Sequence, residues 1–315
     1  MFFGETLSLF VALSWTATAL FAEVASKRMG SLPLNTLRMV MSLLLLSSTL
    51  WIMQGAPWPR YADGATWIWL ALSGVVGYVI GDYCLMQGYI YIGSRFGQLF
   101  MTLSAPTAAL TGLLLLGETM RPLAIIGMVV TLSGIALSIL SKDVKGNEKL
   151  PRIKLPRRGV FFAAVAGICQ GFGLVLSKIG LQHYHAALSA TEIQSGFEIY
   201  VPFAATFIRA SVGLIGFFLL LRIFNRDWKE KLRHAVTDKK AMWCLLGATI
   251  FGPFIGVSAS LLATLYTSTG IAQTLFALTP VLIIAPSVWF FGQKVTLREI
   301  LGALLSVAGV ALFFI

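Results

Sequence analysis

At 315 residues, with 57% hydrophobic and only 12% charged side chains and a mean hydropathy of +0.83, the chain cannot cover a water-soluble surface and is read as membrane-embedded. Its net charge of +11 invites a nucleic-acid partner, but the basic residues gather between apolar stretches without interleaved aromatics, which points to lipid headgroups and topology and to no nucleic acid. Cys84, Cys169 and Cys244 sit singly within apolar segments, predicting free, buried thiols and no metal site.

About twenty apolar residues cross a hydrocarbon core of roughly 30 Å as a helix. Ten such spans are predicted, at 5–27, 34–54, 66–88, 95–116, 121–140, 159–180, 201–222, 241–266, 269–291 and 296–315. The first follows the acidic Glu5 rather than a basic segment and lacks a small-x-small cleavage site, so it is expected to be retained. Trp51, Trp58, Trp67 and Trp69 are predicted to belt one membrane face, and Trp228 and Trp243 the other. The segments 142–158 and 222–240 together carry fourteen of the 24 Lys and Arg. The first of them separates two halves: a first five-helix repeat over 5–140, a basic linker over 141–158, and a second repeat over 159–315.

The division rests on a duplication. Sliding the chain by 175 positions brings Gly77, Ile80, Gly81, Tyr91, Gln98, Gly117, Gly127 and Gly134 onto Gly252, Ile255, Gly256, Tyr266, Gln273, Gly292, Gly302 and Gly309. Nearer the start of each half the register changes: Ser26 and Lys27 correspond to Ser177 and Lys178, and Arg38 to Arg209. Inserted residues around 183–202 account for the change and are expected to form an exposed loop or short interfacial helix. Five spans is an odd number, so the second half enters the bilayer upside down. The predicted fold is therefore an all-α integral membrane protein, ten transmembrane helices in two inverted five-helix repeats around a central cavity. Twenty of the 24 basic residues fall on one face, which places that face inside and both termini outside.

Residues 103–119 (LSAPTAALTGLLLLGET) and 278–294 (LTPVLIIAPSVWFFGQK), with the glycine-containing spans that follow them, resemble the drug/metabolite transporter (DMT) superfamily, and specifically its EamA-type ten-helix members. The likeness covers nearly the whole chain: Trp15 in the first span, Arg38 opening the second, a glycine-rich third, a fourth running from Pro to Gly-Glu, and the same pattern again. Two departures are Gly292-Gln293 in place of Gly117-Glu118, and Pro106, one position off the register of Pro280. The resemblance implies two bundles about a pseudo-twofold axis in the membrane plane, a central cavity, and alternating access for small organic metabolites, often amino acids and often exported. It also implies cytoplasmic termini, opposite to the charge argument.

Asp82 is the sharpest single candidate, because an ionised carboxylate inside a span costs roughly 2.5–3.5 kcal/mol on insertion scales. Its repeat partner is Val257, so it is free to serve binding or proton coupling; the alternative is a static ion pair with Arg38 or Arg95. Glu23 precedes Lys27 by four residues and shares its helix face, which adds a second candidate carboxylate for proton coupling. Glu23, Lys27, Arg38, Asp82 and Arg95 are expected to gather near the inner end of the first half, with Lys178 and Arg209 in the outer third of the second. These two clusters are candidates for alternating gates, against simple snorkelling of Lys27, Lys178 and Arg95 to headgroups. Trp15, Tyr78, Gln98, Gln170 and Gln273 lie near mid-span and are candidates, with Asp82, for the substrate-binding wall; interhelical hydrogen bonding is the alternative for the two repeated glutamines. Gly77-x-x-x-Gly81 and Gly252-x-x-x-Gly256 predict close helix packing, and Pro253 is expected to open its helix toward the cavity. Glu118 reads as a helix-end charge.

The sequence has no Walker A, GxSxG or HExxH run, so no enzyme, cofactor or metal is expected. The expected function is secondary, non-ATP transport of a small organic solute, amino-acid-like or drug-like, most simply efflux. The alternative is a lipid-headgroup enzyme or flippase at the basic face. The expected partners are that solute and the lipid bilayer, with protons as a candidate coupling ion, in a monomer or homodimer of the cell membrane.

Overall fold

Helix is the only answer these stretches have inside a bilayer, since every backbone N–H and C=O must find its partner within the segment. A computed structural model of the protein describes residues 2–140, 156–188, 199–283, 286 and 297–314, with the side chains at 95, 138–140 and 299 outside the description. Among the described residues seven helices are long and apolar enough to cross a membrane: Phe3–Met29, Ser31–Gln54, Gly64–Ser94, Phe96–Leu116, Arg157–Ala187, Val201–Phe224 and Lys239–Tyr266. Shorter apolar helices at Pro122–Leu137, Thr269–Leu282 and Ile300–Ala311 stand in the fifth, ninth and tenth places, so the ten segments are called spans one to ten in chain order. A short surface helix, Trp228–Thr237, links spans seven and eight.

Local chemistry sets the breaks. Asp63 caps span three by accepting from Thr66 N at 2.8 Å. Spans three and four are divided at Gly93, whose φ of 76° is open to glycine at no steric cost. Within the spans Ser8, Thr16, Thr18, Thr206 and Thr249 return their hydroxyls to the carbonyl four residues back, which satisfies these five donors inside the bilayer.

The packing pairs equivalent helices. Span two lies against seven and five against ten, while span one packs on eight and nine as span six packs on three and four. The contact of five with ten is reciprocal residue by residue. A Cβ on Gly134 would lie 2.5 Å from Ser306 N and 2.7 Å from Gly302 O; one on Gly309 would lie 2.5 Å from Thr131 N and 2.9 Å from Gly127 O. Thr131 Oγ1 donates to Ser306 O at 3.4 Å, and Ser306 Oγ donates to Thr131 O at 3.3 Å. Gly127, Thr131 and Gly134 are the repeat equivalents of Gly302, Ser306 and Gly309, so the contact is isologous and marks a twofold axis. With an odd number of spans per repeat, that axis lies in the membrane plane.

Spans three and eight each carry a π-helical stretch at matching positions, Val75–Asp82 and Ile250–Gly256. Pro253 stands in the second where Tyr78 stands in the first, so proline is not their common cause. The wider turns present carbonyls that the opposite repeat takes up: Gly77 O accepts from Gln170 Nε2 at 3.1 Å, and Phe251 O accepts from Ser14 Oγ at 2.6 Å. The expected opening of the helix at Pro253 thus has a counterpart without proline in span three.

Apolar side chains such as Leu44, Leu114, Ile126, Phe161 and Ile215 face outward, while Arg38, Asp82, Gln98, Gln170, Arg209 and Gln273 are buried, the arrangement a lipid solvent selects. Two expectations need correction. The inserted stretch does not leave the helix at 183, because span six runs on to Ala187 and buries Tyr184; residues 189–198, with Glu192 and Glu198, lie outside the described set. The three cysteines are free, but only Cys84 is buried, and Cys169 and Cys244 are partly buried.

Candidate functional site

Between the repeats lies a cavity of about 40 Å³, room for a few water molecules, with walls from both halves. Trp15, Tyr78, Asp82, Gln98, Gln170 and Gln273 all line it. So do Arg38 and Arg209, which the sequence had placed in separate gates at opposite ends. The correction follows from geometry: Arg38 lies seven residues into span two from the basic face and Arg209 eight into span seven from the other, and two long side chains at that depth reach one midplane.

Asp82 is held on both sides. Its Oδ2 accepts from Arg38 Nη2 in a buried ion pair, and its Oδ1 accepts from Gln170 Nε2 at 2.8 Å. One carboxylate therefore ties span three to span two of its own repeat and to span six of the other. Arg209 has no such partner among the described residues; its guanidinium stands 5.0 Å from the Tyr78 ring centroid. Gly77 makes that seat, since a Cβ there would be 2.9 Å from Arg209 Nη2. Gln98 donates to Tyr89 Oη, while Gln273 accepts from Ser104 Oγ at 3.1 Å and donates to Gln170 O at 3.4 Å, so the two repeated glutamines brace the wall separately.

Away from the cavity, one arrangement occurs at both membrane faces. Toward the basic face, Glu23 accepts from Lys27 Nζ at 2.5 Å and from the backbone N–H of Ser94 at 3.1 Å, just past the Gly93 break that leads into span four. Toward the face bearing the termini, Glu118 lies 2.6 Å from Lys178 Nζ and accepts from Thr269 N at 2.9 Å, where span nine begins. Lys27 and Lys178 are repeat equivalents, as are Ser94 and Thr269. A carboxylate at the start of a helix is favoured by the exposed N–H groups there, which is the reason both seats hold one. The acids differ in origin: Glu23 belongs to the same helix as its lysine, whereas Glu118 crosses from the first repeat to the second. Thr269 Oγ1 adds a bond to Glu118 at 2.6 Å, and Thr267, whose carbonyl receives Lys178 Nζ at 3.0 Å, donates its hydroxyl to Glu5 at 2.9 Å. At the basic face the cross-repeat link is a surface pair, Arg28 with Asp238 at 2.7 Å. The side chain of Arg95 lies outside the described set.

The sequence profile of the EamA-like transporter family matches this chain twice, over residues 2–140 and 157–315. The chain belongs to the EamA-like transporter family. This transporter is a multi-pass integral membrane protein and not an enzyme, which removes the headgroup-enzyme alternative. A solved crystal structure superposes with a TM-score of 0.70 over 98% of the transporter and 96% of its own chain; at 14% identity it is evidence for the fold alone. No curated protein matches the sequence.

Glu118 is the residue that sequence reasoning undervalued in this transporter, and a signal for it existed. Leu174 stands where the repeat would place a mate of Glu23, so Lys178 has no acid one turn before it and must find a carboxylate elsewhere. Gly117, with φ of 65°, ends span four and turns Glu118 back toward it; the repeat mates Gly292 and Gln293 lie outside the described set. Among the described residues no cluster of His, Cys, Asp and Glu has the makings of a metal site.

Proposed function

We propose that this EamA-like transporter is a secondary, non-ATP carrier that exports a small organic solute, amino-acid-like or drug-like, by alternating access to the cavity between its repeats. The observation that carries the reading is that cavity: both repeats build it, and charged residues that are costly to bury point into it. Trp15, Tyr78, Asp82, Gln98, Gln170 and Gln273 form the solute-binding wall. Arg38 belongs with them, because it fixes Asp82.

Gating falls to the contacts that join the two repeats at each membrane face. Glu118, Lys178 and the Thr267–Thr269 corner close the terminal face by joining the repeats, and Arg28 with Asp238 closes the basic face. Exposed pairs of the second kind are worth about 0–1 kcal/mol, so the basic face opens more readily from this state. Glu23 and Lys27 hold span four to span one and move as one body with the first repeat.

The test is solute movement in proteoliposomes of purified protein, screened with labelled amino acids, organic acids and amines without ATP. Saturable counterflow of at least one solute, lost in Asp82→Asn and Gln170→Ala, is the expected result. Flux that no solute saturates, or that both variants retain in full, would refute the reading.

A further inference from the structure

We infer that the solute carries a single negative charge on a carboxylate, and that Arg209 is the residue that binds it. The inference rests on the transport reading above and goes beyond it by naming the chemical class.

Charge comes first. Two guanidiniums, Arg38 and Arg209, and one carboxylate, Asp82, line the cavity among the described residues, so one positive charge is left over. Arg38 and Asp82 neutralise each other. Arg209 is 4% exposed and has no ion-pair partner among the described residues. An uncompensated buried ion costs several kcal/mol, and a protein that keeps one meets it with an anion from elsewhere.

Hydrogen bonding points the same way. Four buried polar atoms of the cavity wall lack a partner among the described residues: Trp15 Nε1, Arg38 Nε, Arg209 Nε and Tyr78 Oη. The first three only donate, and the phenol is free to donate. Gln98, Gln170 and Gln273 are already engaged with Tyr89, Asp82 and Ser104. The unmet demand is therefore for an acceptor. A carboxylate offers two oxygens with about four lone-pair sites, and its plane matches the guanidinium fork. An ammonium, by contrast, would bring three donors to a wall whose one anionic acceptor is shared by Arg38 and Gln170. A dianion would overshoot the single spare charge.

Gly77 supports the assignment, because its missing side chain keeps the guanidinium end of Arg209 in the cavity. Tyr78, on the next residue of the same π-helical turn, holds the cation by its ring face and leaves the Nε edge for the ligand.

The test is thermal unfolding of the purified full-length protein with monocarboxylates from acetate to 3-phenylpropionate, each compared with its own amide and its own amine at equal ionic strength. Carboxylates are expected to raise the Tm where the matched amides and amines do not. In Arg209→Gln the apparent Kd of the best carboxylate should weaken on the order of 10- to 100-fold, the loss of a charged hydrogen bond. Arg209→Lys should recover part of it, and Gly77→Ala, which displaces the guanidinium without removing it, should weaken binding as well. Stabilisation by amines or amides instead, by no carboxylate at all, or by carboxylates equally in Arg209→Gln, would overturn the inference. A carboxylate that binds but is not moved across proteoliposomes would refute the transport reading and leave this one standing; an amine that is moved would do the reverse.

Discussion

Glu118 lies beyond the end of span four, and its environment pulls it two ways. Burial pushes its carboxyl up, but hydrogen bonds from Lys178 and Thr269 outweigh this and hold it below the ordinary 4.5. A carboxyl depressed in the folded state contributes stability that is complete above its unfolded value and is lost only as pH falls through the lowered one. The link that Glu118 makes to Lys178 and Thr269 is thus intact from neutral pH to about 5 and fails only in stronger acid. Glu118→Gln is expected to lower stability by about 1–3 kcal/mol, a charged hydrogen bond's worth. Measured as melting curves from pH 8 to pH 3.5, the gap between wild type and variant should stay constant down to about 5 and narrow below it. A gap that closes between pH 8 and pH 6 would mean that Glu118 is not held as described.

At the scale of elements, the crossing of spans five and ten is the fixed point about which the repeats are related. Gly134 and Gly309 both meet backbone there, which a neighbour cannot yield as a side-chain end can. Gly134→Ala and Gly309→Ala should each destabilise by about 1–3 kcal/mol. The twofold relation adds that the two costs should be similar, because each added methyl meets the same kind of backbone contact. Gly64, where an added methyl would meet nothing within 4 Å, supplies the contrast: Gly64→Ala should be neutral or mildly stabilising in denaturation of the purified protein. Unequal costs at 134 and 309 would argue that the symmetry of backbone contacts is not one of energies.

For the molecule as a whole, the architecture was legible because it is written in spacings: apolar lengths name the spans, and the 175-residue shift names the repeat. The cavity wall was legible for a related reason, since Trp15, Asp82 and the glutamines are polar or amphipathic at depths where lipid tolerates neither without cause. Depth counted along a helix failed for Arg38 and Arg209, because a guanidinium ends several ångströms from its Cα and can reach the midplane from either side. Spacing also hid Glu118, whose partners Lys178 and Thr269 are close only once the second repeat is folded against the first. The π-helical turns share only two glycines and an isoleucine, Gly77, Ile80 and Gly81 with Gly252, Ile255 and Gly256, a pattern that also fits an ordinary packed helix, so the proline in one of them misdirected the reading.

The central claim is that this cavity is open to the two sides of the membrane in turn. Ser260, buried in the cavity wall, is a place to test it. In a variant with the three native cysteines replaced, Ser260→Cys in sealed vesicles can be exposed to a small membrane-impermeant thiol reagent from one side or the other. Alternating access predicts labelling from each side, slowed from both by a solute that occupies the cavity. Labelling from one side only, however long the exposure, would contradict it.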